Sequence, residues 1–296
     1  MGFRGEKTVA KNILHSLEQG MGGFSKGQKR IAAYILENYD KAAFMTASRL
    51  GKLVGVSEST VVRFASELGY DGYPGMQRVL QDMIRSRLTS TQRIQAAGDL
   101  FSGQDVLPAV IQSDIDKLRQ MIGQASRSEF DRVVDKIRTG RHIYILGVRS
   151  SSFVAGYLHF YMHLLSENVT LIQSNAAGEM FEQMLRMGQG DVLIAISFPR
   201  YSKVTINTVK FARDRGAEII AITDNELSPI YELSDAALLA PCEMISFVDS
   251  MVAPLSLINA LLVALSNRAG TDVSSTFAEL EDIWNAYGVF GKMDDE

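Results

Sequence analysis

The stretch "GKLVGVSESTVVRFASELGY", Gly51 to Tyr70, decides how the first third of this chain folds. It contains two helical patterns separated by a glycine turn. Gly51 lies where the first helix must come close to the second, and Gly55 adopts positive φ at low cost. Ser57 is placed to cap the second helix by accepting from a backbone N–H near Thr60. Val61, Ala65 and Leu68 then share the inward face. Two helices joined tightly over residues 48–67 have the shape that lays a second helix in the major groove of duplex DNA. Ser59, Thr60 and Arg63 point away from the core near the start of that helix, where base edges are met. Arg63 has the reach for a guanine or for a phosphate. Glu58 suits a cytosine amine, or only the positive end of the helix. The competing reading is an ordinary helical hairpin in which Ser57 is a cap and nothing more.

The charge pattern favours DNA. The 296-residue chain carries a formal net charge of -4, yet residues 1–90 hold 13 Lys+Arg against 8 Asp+Glu, and residues 91–296 hold 17 against 26. The first part is therefore +5 and the second -9. Local charge decides whether a surface attracts phosphate. Lys26, Lys29, Arg30, Arg49, Lys52 and Arg63 all fall near the motif, with Arg49 and Lys52 on its first helix.

The remaining composition sets broad limits. Hydrophobic residues make up 46% of the chain, enough for one large or two ordinary domains. A single cysteine, Cys242, excludes an intrachain disulfide and fits a reducing, cytoplasmic setting. The N-terminus has no signal-peptide apolar run. "MVAPLSLINALLVALS" (251–266) contains Pro254 and is short for a bilayer, so it reads as a buried helix of a soluble domain and no membrane partner is expected.

Outward from the motif, "SKGQKRIAAYILEN" (25–38) places Ile31, Tyr34 and Ile35 on one helical face behind Ser25 as N-cap. Further helices fit 46–54 and 57–69. "YDGYPGM" (70–76) is rich in turn formers, and helix is expected to resume over 76–88. Residues 91–130 read as a helical connector, with an imperfect stripe of Val110, Asp114, Leu118 and Met121. From about residue 131, short apolar runs alternate with helical segments. The runs are 142–146, 169–173, 192–197, 218–223 and 236–240. That alternation predicts a parallel sheet of five strands with helices on both faces.

In open sheets of this kind, ligands bind at the carboxyl ends of the strands. The loop "GVRSSS" (147–152) follows the first strand and opens a helix with a core stripe of Val154, Leu158, Tyr161 and Leu165. Gly147, Arg149, Ser150 and Ser151 suit a phosphate or carboxylate at the helix N-terminus, or one serine is simply an N-cap. The loop is neither a Walker A sequence nor a G-x-G-x-x-G fingerprint, so no nucleotide cofactor is expected. After the third strand, "SFPRYSKVT" (197–205) supplies Ser197, Arg200 and Ser202. Arg200 suits an acidic ligand group or a subunit surface, and Ser202 suits an N-cap. After the fourth strand, Asp224 suits a ligand hydroxyl, and Ser228-Pro229 suits the start of a helix. Ser246, Asp249 and Ser250, after the fifth, are candidates for the same pocket's edge.

His159 and His163 have a metal-compatible spacing with no third ligand in view, so no metal is expected. A phosphosugar isomerase with an accessory helical head is the rival function. It needs an acid–base pair, for which Glu179 is the one nominated carboxylate and His159 a poor second. No catalytic residue is assigned. An oligomerisation module accounts for the sheet domain but not for the basic head. The helix expected within 272–290 places Phe277, Leu280 and Trp284 on one face.

Taken with "FSKGQKRIAAYILENYDKAAFMTASRLGKLVGVSESTVVRFASELGYDGYPGMQ" (24–77), "GVRSSSFVA", "AISFPRYS" and "GAEIIAITDNELSPI", the chain resembles the RpiR family of bacterial transcription regulators. The resemblance spans nearly the whole chain. It implies an all-α N-terminal helix-turn-helix domain (1–90), a helical connector (91–130), an α/β sugar isomerase (SIS) domain with a five-stranded, flavodoxin-like parallel sheet (131–270), and a C-terminal helix and tail (271–296). It also implies operator DNA as partner, a small metabolite effector (often a phosphosugar) and a homodimer or homotetramer. Ser151 matches the hydroxyl of the first phosphate loop, and Ser197 and Ser202 match positions flanking the second. Where the family commonly reads G-x-G-x-S, Arg149 replaces the second glycine. Where it reads S-x-S-G-x-T, this chain has "SFPRYS". The two arginines either favour an acidic effector other than an aldose phosphate or plug the site.

Overall fold

The computed structural model describes residues 13–85, 89–100, 105–173, 177–242, 245–269 and 271–290. Contacts divide the chain into two compact units. One is Met1–Val106 with Met244–Val248, and the other is Leu107–Glu243 with Asp249–Glu296.

The first unit is helical: α1 (Ile13–Gly20), α2 (Lys26–Glu37), α3 (Tyr39–Ala42), α4 (Ala47–Val54), α5 (Glu58–Glu67), α6 (Gly72–Arg85) and α7 (Ser90–Leu100). Side chains cap four of them, with Thr89 and Gln92 forming a capping box on α7. Ser25 and Gln28 form a capping box on α2, Thr46 accepts from the Arg49 N–H, and Ser57 accepts from the Thr60 N–H. Ile31 and Ile35 of α2, Leu50 of α4, Val61, Phe64 and Ala65 of α5, and Met76 and Leu80 of α6 form one core, with Tyr34 and Leu68 half-buried against it. Sequence periodicity missed α1, α3 and the inward Phe64. It also placed the start of α6 too late. Helix begins at Gly72, inside the stretch expected to break it, and Pro74 sits in its first turn. That position tolerates proline because first-turn N–H groups lack an intrahelical acceptor. The Tyr73 hydroxyl donates to the Met45 carbonyl at 2.8 Å, and burial pushes its pKa up to about 12, so it remains a donor. Residues 86–88 of the expected helix lie outside the described residues.

The segment 91–130 is not one element. α7 belongs to the first unit, and α8 (Val106–Gln124) and α9 (Arg127–Thr139) lie in the second almost entirely. There follow β1 (Ile143–Gly147), α10 (Ser151–Met162), β2 (Val169–Ile172), α11 (Ala177–Gln183), β3 (Val192–Ile196), α12 (Lys203–Asp214), β4 (Glu218–Thr223), β5 (Ala236–Leu239), α13 (Val252–Ala269) and α14 (Thr271–Ala286). The five strands pair in parallel in the order β2-β1-β3-β4-β5. β-strand side chains alternate between faces. Ile143, Ile145, Ile194, Ile196, Ile220 and Ile222 face α9, α10 and α13. Leu146, Leu193, Ala195, Ile219 and Ala221 face the other side, with Met180 of α11 and Val209 and Ala212 of α12. The central strands β1 and β3 are buried along their whole length, so they read as unbroken apolar runs.

Three expectations fail here. The β4–β5 connection holds only turns, so Ser228-Pro229 starts no helix. In α10, Met162 completes the buried stripe that Val154 and Leu158 begin, while Tyr161 turns outward. α13 is buried through Ile258, Leu261 and Leu265 but leaves Val252 and Val263 exposed, so it covers the sheet rather than being enclosed. In α14, Phe277, Leu280 and Trp284 are the half-buried positions.

Candidate functional site

The helix-turn-helix is held by backbone fit. Gly55 ends α4 at φ +67, and a Cβ on Gly51 would stand 2.9 Å from the Val56 carbonyl oxygen. Only glycine permits that approach. Arg30 of α2 donates to the Gly55 carbonyl at 2.9 Å, so this cation secures the turn. Ser57, Ser59 and Thr60 share their hydroxyls, with Ser57 Oγ 2.9 Å from Ser59 Oγ and 2.8 Å from Thr60 Oγ1.

The outward face of α5 follows from its buried one. With Val61, Phe64 and Ala65 inside, a rotation of 100° per residue brings Ser59, Val62, Arg63 and Ser66 outside, and all four are exposed. Glu58 is exposed at the helix start and Thr60 is half-buried. Among the described residues, the side chains of Lys26, Lys29, Arg49, Lys52 and Arg63 make no hydrogen bond or ion pair. Each is therefore open to an external anion. Val62 and Ser66 escaped the sequence reading, although the same helical period that found Arg63 places them beside it.

In the sheet domain the strand order reverses between β1 and β3, which is the switch point where a crevice opens. Gly147 pairs in register with Ile196, so the loops after β1 and β3 leave side by side. Arg149 has φ +59 and Arg200 has φ +68, the two non-glycine residues with positive φ among those described. Both side chains are exposed. The Ser152 hydroxyl and N–H donate to the Arg149 carbonyl at 2.6 and 3.0 Å, which fixes that turn. Gly147 has negative φ, but a Cβ there would meet the Ser151 carbonyl oxygen at 2.4 Å. Its role is close approach.

The loop residues divide by task. Ser150 occupies the N-cap of α10 without any side-chain cap bond, so the N-cap alternative is not realised; the Ser152 N–H goes to the Arg149 carbonyl, and the positive end of the helix still favours an anion. Ser151 and Ser197 are buried. The Ser197 N–H donates to Ile222, and its carbonyl accepts from the Thr223 hydroxyl. Ser202 caps α12 through the Val204 N–H. Asp224 accepts from Tyr201 at 2.8 Å and Asn225 at 2.6 Å, and the Thr223 hydroxyl, which donates to the Ser197 carbonyl, lies 3.1 Å away. The Tyr201 bond ties the second loop to the end of β4, which gives Asp224 a positioning role. Ser250 donates to Asp114. Glu179 lies on α11, and His159 stacks on His163 with ring centroids 5.7 Å apart. Burial and the neighbouring His163 charge hold the His159 pKa below its ordinary value. Among the described residues no three His, Cys, Asp or Glu side chains cluster as metal ligands.

A cavity of about 620 Å³ lies elsewhere, beside edge strand β5, and Asp224 is the one site residue it reaches. Its charged lining has structural work: Glu129 accepts from the Ala237 N–H at 3.0 Å and Arg132 donates to the Asp235 carbonyl. These contacts blunt the open strand edge.

A basic helix-turn-helix joined to a doubly wound domain with two loops side by side at its switch point is the architecture of a ligand-controlled transcription regulator. Residues 11–87 match the helix-turn-helix domain of the rpiR family, and residues 136–264 match the SIS domain. The chain belongs to the RpiR family, and it is a metabolite-responsive regulator rather than an enzyme. An uncharacterised HTH-type transcriptional regulator of Clostridium perfringens is 26% identical over 75% of this chain and 79% of its own length. The regulator HexR of Pseudomonas aeruginosa is 22% identical over 88% and 92%. Among solved structures, Vibrio vulnificus NanR complexed with ManNAc-6P is 24% identical, covering 95% of this chain and all of that one with a TM-score of 0.58. The sugar isomerase domain of an RpiR transcription factor from Sphaerobacter thermophilus is 23% identical, covering 60% and 99%, with a TM-score of 0.57. Among the described residues no helix is long and apolar enough to cross a membrane.

Proposed function

We propose that this regulator takes a phosphosugar or a related acidic carbohydrate derivative at the loops after β1 and β3, and that the effector changes its grip on operator DNA. The observation that carries this reading is the uncapped N-terminus of α10 beside Arg149 and Arg200. Ser150, Ser151 and Ser197 serve the effector's polar groups, while Ser202 and Asp224 hold the second loop in shape. On the head, Ser57, Glu58, Ser59, Thr60 and Arg63 meet the major groove, and Arg49 and Lys52 neutralise phosphates. The effector shifts the balance between DNA-bound arrangements only by its differential affinity for them.

The regulator acts in the cytoplasm as a homodimer or homotetramer. α10 is apolar around its whole circumference yet exposes Phe153, Phe160 and Tyr161, and α13 exposes Val263. An all-round apolar helix calls for a covering surface. A symmetric oligomer reads paired half-sites.

Thermal unfolding with a panel of phosphosugars, sugar acids, neutral sugars and inorganic phosphate tests the effector. A ligand at 100 times its Kd stabilises the native form by about 2.7 kcal/mol. Stabilisation by neutral sugars and not by anionic ones would refute the reading. Operator affinity should fall steeply as salt rises, and Arg63→Ala should weaken it while the sheet domain melts unchanged.

A further inference from the structure

Val62 is the one apolar side chain exposed on α5, at 38%. Helix propensity does not account for it. Its neighbour Val61 fills the core position, and a β-branched residue on an open helix surface is a poorer helix former than the Ala, Lys or Glu that the site would accept. The polar side chains around it turn toward the helix itself. The Ser66 hydroxyl donates back to the Val62 carbonyl at 3.3 Å, and the Ser59 hydroxyl is 2.9 Å from Ser57 Oγ. Two methyl groups thus stand out from a polar surface, one residue before the unpaired guanidinium of Arg63. In the major groove, thymine alone of the four bases presents a methyl group, and apolar side chains read it by contact.

We infer that Val62 is a specificity-determining residue that packs against the 5-methyl group of a thymine in each operator half-site. This rests on the DNA-binding reading above.

The test starts with the full chain selecting duplexes from a random pool. Each thymine of the enriched sequence is then replaced by deoxyuridine, which removes the methyl and leaves the Watson–Crick edge intact. One thymine per half-site should lose about fourfold in affinity when substituted, the value of one buried methyl group. In Val62→Ala that substitution should have no further effect. Val62→Thr, of equal size with one methyl retained, should keep partial sensitivity. Circular dichroism melting establishes that both variants fold. Indifference of the unaltered protein to deoxyuridine at every thymine overturns the inference, as does equal sensitivity in Val62→Ala. Enrichment of no sequence at all overturns the DNA-binding reading with it, and is distinguished by that outcome.

Discussion

Replacing Arg149 or Arg200 by glycine should make the protein more stable and less responsive at once. Both residues sit in the left-handed region, at φ +59 and +68. That conformation costs a non-glycine residue roughly 1–2 kcal/mol. Glycine removes the strain but gives the unfolded chain more freedom, which takes back roughly 0.4–1 kcal/mol. The net gain is about 0.5–1 kcal/mol at each site, or about 1–4 °C in the melting temperature of a domain this size. Calorimetry on the full chain reads the shift, and the same samples with anionic sugars read the response. Arg149→Ala and Arg200→Ala are the controls, because alanine loses the guanidinium but keeps the strain and should gain nothing. The glycine variants should lose most of the ligand-induced shift, since the guanidinium proposed to meet the anion is gone. Strained residues persist where function retains them. Glycine variants that melt at or below the unaltered protein, or alanine variants that gain equally, would show that the left-handed geometry stores no strain.

Gly51→Ala should destabilise the helical head by roughly 1–3 kcal/mol, because its Cβ would stand 2.9 Å from backbone oxygen; chemical denaturation of the head measures it. Gly147→Ala should lower sheet-domain stability by a similar or larger margin and blunt effector response, because the start of α10 must move away from β1; calorimetry with and without ligand checks both. Asp191 gives acid sensitivity. Burial works to raise its pKa, but Arg141, bonded at 2.8 Å through two nitrogens, and the Gly188 N–H outweigh it and hold the pKa below the ordinary 3.8. A depressed carboxylate contributes stability above its unfolded pKa and loses it as pH falls through the folded value. Asp191→Asn should therefore reduce stability at neutral pH and flatten the decline below about pH 4 in denaturant titrations.

Much of this regulator was legible because its signals are local. Glycine at 51 and 55, the caps at Ser25 and Ser57, and five apolar runs are properties of adjacent residues, and backbone sterics and hydrogen bonding act over that range. They determined the helix-turn-helix, the parallel sheet and the two loops at its strand ends. Asp224 shows where locality fails. Its neighbours in sequence give no sign of Tyr201, 23 positions away, whose hydroxyl it accepts. The outward turn of Tyr161 and the exposed side of α13 are of the same kind. An apolar side chain carries no mark of whether another element covers it, since burial is a property of the packed neighbours. The left-handed arginines lie between the two cases: the sequence placed them where glycine is usual, but only the folded loops fixed their backbone, because the register of β1 against β3 and the hydrogen bonds of Ser152 set the turn.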